Sequence, residues 1–276
     1  SPQVKPKLPS PITDTTIASG RPMAPPREWG LAAMFRDLNH DRAPDLLVAN
    51  DNGSPDRFWI NQGDGTFRLA ASWALRHGSH SSMRLDVADI NRDGHEDVLI
   101  VDMLATDHGR RMRHPGKGDP TALAHGTSEA MPVFNRNTLF LGRGDGSFAE
   151  AAFQCGVAAT DWSWCPAFID VDLDGWEDLV VTTGFHQDVL DQDVSDGFKT
   201  QKWTPEQVRR YRQRYPTWHT PMAAFRNRGD GTFVPTGSSW GLDRAGIAQG
   251  MALGDLDGDG DQDLVVNTLN APAGLY

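Results

Sequence analysis

Carboxylates recur at fixed intervals in four short stretches, Asp37 to Asp45, Asp89 to Asp97, Asp170 to Asp178 and Asp255 to Asp263, each reading D-x-[D/N]-x-D-x-x-x-D. Side chains at positions 1, 3 and 5 of a tight turn converge from one side, and a fourth at position 9 closes the shell. That supplies the oxygen-only environment a hard cation such as Ca²⁺ takes up with six to eight ligands. The candidate side-chain ligands are Asp37, Asn39, Asp41 and Asp45; Asp89, Asn91, Asp93 and Asp97; Asp170, Asp172, Asp174 and Asp178; and Asp255, Asp257, Asp259 and Asp263. Up to four Ca²⁺ ions are expected, while Mg²⁺ would want fewer protein ligands in stricter octahedral geometry. Glycine supplies the sharp bend in three loops, through Gly94, Gly175 and the Gly258-Asp259-Gly260 triplet, but Arg42 stands there in the first, which is expected to bind most weakly. Without a cation the crowded carboxylates repel, so ion binding and folding should be coupled. A lone match of this kind can be an Asx-rich turn; four copies in frame argue otherwise.

The elements that must hold these loops follow from a second motif, G-D-G-[T/S]-F, at Gly63 to Phe67, Gly144 to Phe148 and Gly229 to Phe233. From each G-D-G aspartate to the first aspartate of the next acidic loop the interval is 25 residues every time. Short apolar runs flank both motifs, for example Pro166 to Ile169 before an acidic loop and Leu179 to Val181 after it. Such runs read as buried strands, so each motif is a hairpin bend. Two hairpins make a four-stranded sheet, and such sheets repeated about an axis make a β-propeller. The sequence thus predicts an all-β chain of about four blades. The acidic loops and G-D-G turns share one face of the disc. Two insertions between the second and third strands, at about 102–132 and 186–221, emerge on the other. The later one carries a helix signal, Thr204 as N-cap, Pro205 at the first helical position and Gln207 completing a capping box, while the earlier one reads as irregular loop. Residues 1–26, rich in proline, read as a tail or linker and 27–276 as the propeller.

Composition narrows the function classes. With 26 basic and 37 acidic residues the formal charge is −11, the wrong sign for a nucleic-acid partner. No apolar run reaches the length of a membrane span. Cys155 and Cys165, the only cysteines, are too few for a Cys-built zinc site, and whether they pair is open. No P-loop, nucleophile elbow or dinucleotide fingerprint occurs.

At the two repeated motifs the chain resembles the FG-GAP/VCBS repeat propellers related to integrin α-subunit heads. The phrases Thr160-Asp161-Trp162-Ser163-Trp164, Val101-Asp102-Met103-Leu104 and Asn270-Ala271-Pro272-Ala273 are similar to those of bacterial secreted proteins of the ASPIC/UnbV and cartilage-acidic-protein type. That resemblance implies a seven-bladed propeller of which this chain shows three full repeats and the start of a fourth. It also implies a further Ca²⁺ ligand from the backbone carbonyl at position 7, at Ala43, His95, Trp176 and Asp261. A secreted, periplasmic or cell-surface location follows from the same likeness.

Trp162, Trp164 and His186 fall on the insertion side and mark a candidate ligand face, the plainer reading of the tryptophans being packing between blades. The other histidines, including His77 and His80, read as solvated, and the acidic run Asp188, Asp191, Asp193 and Asp196 as a solvated surface. The leading expectation is a non-enzymatic binding or scaffold module for a protein or glycan partner. The alternatives are a propeller-borne lyase or hydrolase acting on carbohydrate, and one subunit of a larger assembly.

Overall fold

The structure, a computed structural model, describes residues 28–114, 131–200 and 202–276; the tail expected at 1–26 and most of the earlier insertion's centre lie outside them. The first sheet is β1 (Trp29–Arg36), β2 (Asp45–Asp51), β3 (Arg57–Asn61) and β4 (Phe67–Leu69), antiparallel in that order. Helix α1 (Ser72–Leu75) and β5 (Gly78–Ser79) lead to the second sheet, β6 (Arg84–Ala88), β7 (Asp97–Val101), β9 (Thr138–Gly142) and β10 (Phe148–Glu150). Between β7 and β9 the insertion contributes α2 (His108–Met112) and β8 (Val133–Phe134), which pairs with β5. Helix α3 (Ala152–Cys155) precedes the third sheet, β11 (Ser163–Ile169), β12 (Asp178–Thr183), β13 (Ala223–Asn227) and β14 (Phe233–Pro235). Its insertion holds α4 (Gln192–Gly197) and α5 (Pro205–Arg212). The fourth sheet has three strands, β15 (Ala248–Gly254), β16 (Asp263–Thr268) and β17 (Gly274–Leu275).

These sheets are the four blades of a β-propeller. Their first strands stand side by side in the order β1, β6, β11, β15, and each acidic loop joins a first strand to a second as the motif spacing requires. The core lies between blades. Strand β7 turns Val98 and Ile100 into the cluster shared with the first blade and Leu99 and Val101 into the cluster shared with the third. Strand β12 likewise sends Leu179 and Val181 one way and Val180 the other. A strand buried on both faces reads as a continuous apolar run, and so these do. The end blades bury one face each: Trp29, Leu31 and Phe35 on β1 and Leu256, Leu275 and Tyr276 on the last blade are exposed.

The insertions are more ordered than their composition suggests. The capping box of α5 forms as read, with the Gln207 amide donating to Thr204 Oγ1 and the Thr204 amide to Gln207 Oε1. The earlier insertion is not irregular throughout, because Asp107 caps α2 by accepting from the Arg110 amide at 2.7 Å. The run containing Asp188 and Asp191 is not a solvated surface. Asp188 is fully buried and accepts from Arg110 at 2.7 Å and His114 at 2.9 Å, while Asp191 accepts from Arg113 at 3.0 Å. The two insertions are thereby clamped together. Nor are the histidines all solvated, for His114 is 3% exposed and His77 packs edge-on to Phe134.

One buried acid makes a pH dependence calculable. Asp56, in the β2–β3 connection, accepts from the Asn50 amide at 2.9 Å and the Ser79 amide at 3.4 Å, yet burial pushes its carboxyl up to about 7. The folded state therefore holds this proton more tightly than the unfolded chain. The stability it contributes is complete below the unfolded value near 4 and is lost as pH climbs through about 7. The change is about 4 kcal/mol across that window at 1.36 kcal/mol per pH unit. Urea unfolding of Asp56→Asn at pH 4, 5.5 and 7 should show a flatter profile than the wild type by this order; parallel profiles would exclude the assignment.

Candidate metal centres

All four acidic loops fold on one template. The position 1 carboxylate accepts two amides of its own loop: Asp41 and Arg42 donate to Asp37 at 3.1 and 2.8 Å, Asp93 and Gly94 to Asp89 at 3.1 and 2.9 Å, and Asp174 and Gly175 to Asp170 at 3.0 and 2.8 Å. In the fourth loop Gly258 and Gly260 donate to Asp255 at 2.7 and 3.2 Å. The position 5 carboxylate takes the position 7 amide, from Ala43, His95, Trp176 and Asp261 in turn. This bends position 6 into positive φ, 85° at Gly94, 92° at Gly175 and 98° at Gly260. Arg42 takes 73° at the same place, so the first loop keeps the bend with a side chain that resists it.

The position 9 aspartates have a separate duty. Asp45, Asp97 and Asp178 are wholly buried, and each accepts one amide from position 2 of its loop and one from the third strand of its blade, at Asn61, Gly142 and Asn227. They staple loop to sheet. Burial pushes Asp97 up to about 7 and Asp178 to about 6, and raises Asp45, with the other loop carboxylates adding to each. A positive charge beside such groups would draw them back toward ionisation. In the fourth blade, Asp263 keeps the position 2 contact, to the Leu256 amide at 2.7 Å.

Two loops bring carboxylate oxygens within 4.8 Å of one another: Asp170, Asp172 and Asp174 in the third, and Asp255, Asp257 and Asp263 in the fourth. The third gathers positions 1, 3 and 5 and the fourth positions 1, 3 and 9. In the first two loops position 3 is an amide, Asn39 or Asn91. Oxygen donors alone, with no His or Cys among them, fit Ca²⁺ in donor chemistry.

Arg226, on β13, escapes a reading based on acidic residues. It pairs with Asp172 at 2.8 Å and Asp174 at 3.0 Å, and with the Trp176 amide it holds Asp174 below the usual carboxylate range. The repeats do contain a signal for it, since Ile60 and Leu141 occupy the equivalent place before the G-D-G turn in the other two blades. The G-D-G aspartates are not part of the cation chemistry: Asp64, Asp145 and Asp230 each accept the amide and hydroxyl of the Thr or Ser two residues on. In the second and third blades the first glycine of the turn makes room for the position 7 side chain. A Cβ on Gly144 would lie 2.3 Å from the His95 ring, and on Gly229 2.8 Å from Trp176.

Neighbouring loops also touch. The position 4 residue, at positive φ in His40, Arg92 and Leu173, reaches toward position 7 of the following loop. His40 lies 6.0 Å from His95, and the Arg92 guanidinium sits 4.7 Å above Trp176.

The candidate ligand face is divided by the structure. Trp162 is 8% exposed and stacks on Phe185 at 4.0 Å, with Trp218 edge-on, so its ring belongs to the interior. Trp164 is half-buried at a bulge in β11 and donates to the Gly184 carbonyl, whereas His186 is exposed beside a 370 Å³ cavity. Cys155 and Cys165 are buried free thiols.

An Agrocybe aegerita lectin, described by its specific recognition of non-reducing terminal N-acetylglucosamine, superposes with a TM-score of 0.39 at 16% identity, over 85% of this chain and 46% of that one. Human cartilage acidic protein 1 is 44% identical over 57 residues, 20% of this chain and 9% of that protein, so the match spans a small part of the relative's length. No helix among the described residues is long and apolar enough to cross a membrane. The FG-GAP-like repeat profile matches residues 37–100, 128–181 and 217–266, which is more than half of the sequence and takes in all four acidic loops, and the chain therefore belongs to the FG-GAP-like repeat family.

Proposed function

We propose that this chain is a calcium-stabilised extracellular propeller that serves as a binding or scaffold module for a protein or glycan. The observation that carries the calcium part is the acidic loop repeated in all four blades, with carboxylate oxygens gathered at the bend in the third and fourth and a position 9 carboxylate tying the bend to the third strand in the first three. Asp170, Asp172 and Asp174, and Asp255, Asp257 and Asp263, would hold an ion most directly, with the position 7 carbonyls of Trp176 and Asp261 as further donors. The ion supplies positive charge where buried carboxylates repel one another. The residues themselves set the bend, exclude competing donors and pass the constraint to β2, β7, β12 and β16.

The binding role rests on the opposite face, where two long insertions are clamped by buried ion pairs into one surface. Loops held on a rigid scaffold are where recognition resides. Isothermal titration of chelator-stripped protein with CaCl₂ should resolve two tight sites at least, one of them lost in Asp172→Asn and another in Asp257→Asn. Titration heats that are the same in the wild type and both variants would overturn the assignment.

A further inference from the structure

A wide cavity among the described residues lies away from the acidic loops, on the insertion side of the first blade. It measures about 770 Å³, within the range of small-ligand sites, and is bordered by α1, the β2–β3 connection and Met131-Pro132. Trp73 lines it and is 60% exposed, an unusual exposure for so large an apolar ring. The second blade provides the contrast. Phe153, the second residue of α3 as Trp73 is of α1, carries the Arg136 guanidinium on its ring at 4.8 Å, whereas Trp73 has no ring or cation partner among the described residues.

Arg76 lines the same cavity and closes α1 at a φ of 64°. Counted from the G-D-G aspartate, the other two blades carry Val157 and Leu242 at this place. In the first blade the chain holds an arginine in a backbone that only glycine adopts freely, at a conformational cost. The guanidinium gains nothing in return from the fold: it is exposed and has no ion pair or hydrogen bond among the described residues. Strain retained at the mouth of a cavity points to a ligand.

The other charges nearby are already satisfied. Arg57 is paired with Glu28, and the Asp56 carboxylate is 2% exposed with both oxygens accepting backbone amides. Arg76 is left as the free charge, beside an open indole. An indole stacks on the C–H face of a pyranose, and a guanidinium takes a carboxylate through two parallel hydrogen bonds. We propose that this cavity binds a carboxylated sugar, with Trp73 as stacking platform and Arg76 as the carboxylate clamp. The assignment rests on the binding-module reading given above and names its ligand class and place.

The test uses the whole calcium-loaded chain, a glucuronate-terminated trisaccharide and its neutral glucose-terminated counterpart, read by calorimetry and tryptophan fluorescence. The charged sugar should bind about tenfold more tightly than the neutral one. Arg76→Gly should abolish that preference while its melting temperature equals or exceeds the wild type's, because glycine relieves the backbone. Trp73→Ala should lose both sugars with little change in stability. Equal affinity for the two sugars, or variants that bind as the wild type does, would overturn the proposal. Should a glycan or protein array then capture wild type and variants alike, the cavity is excluded and the binding module stands; an empty array would remove both.

Discussion

Excess chelator should lower the melting temperature of this protein by about 10 °C or more, and added Ca²⁺ should restore it. A ligand at a thousandfold excess over its Kd contributes about 4 kcal/mol, and each kcal/mol moves a chain of this size by about 2–4 °C. One tight loop is enough to produce the shift. The position 9 carboxylates make the response global, since Asp45, Asp97 and Asp178 bond to their loop and to the third strand at once. Losing the ion leaves these buried acids ionised beside other carboxylates, or drives them to take up protons, and either outcome loosens the blade. Asp174→Ala and Asp259→Ala should each reproduce part of the loss. Asp64→Ala should not alter the response to chelator, because that carboxylate serves only Thr66. A melting temperature indifferent to chelator would mean that the loops hold their shape by hydrogen bonds alone.

Replacing Asp188 by Ala costs about 3–5 kcal/mol, the penalty for leaving a buried charge without its partner. Asp188 has no exposure, and the groups it would abandon are the Arg110 guanidinium and the His114 ring, itself 3% exposed. Both pack on Trp218, the Arg110 guanidinium 4.8 Å above its ring and the His114 ring tilted against it at 5.2 Å, so the damage extends into the aromatic cluster with Trp162 and Phe185. Urea unfolding measures the loss, and an Asp188→Ala/His114→Ala double variant should recover part of it, since removing a second partner relieves the imbalance. A cost below about 1 kcal/mol would place the pair among surface ion pairs and dissolve the clamp between insertions.

Repetition is what made the propeller legible. The acidic motif, the G-D-G turn and the invariant interval between them constrain strand order, and the observed pairing follows it in each blade. The insertions were less legible because their order comes from contacts distant in sequence. Nothing local to Asp188 announces Arg110 and His114, more than 70 residues earlier, and polar composition alone reads as solvent-facing. Trp162 follows the same rule: its neighbour Phe185 lies just past the end of β12 and Trp218 deep in the later insertion. Arg226, by contrast, could have been found by setting the repeats side by side and asking why one blade exchanges Ile60 or Leu141 for a cation.

The step from position 4 of one loop to position 7 of the next, His40 to His95 and Arg92 to Trp176, always runs the same way round the axis. The acidic side of the disc is thus a coupled train, not a set of independent clasps. A fault in one member takes away the lid of the one that follows, and through the Asn227 side chain on the Ile90 carbonyl it is felt by the one before as well.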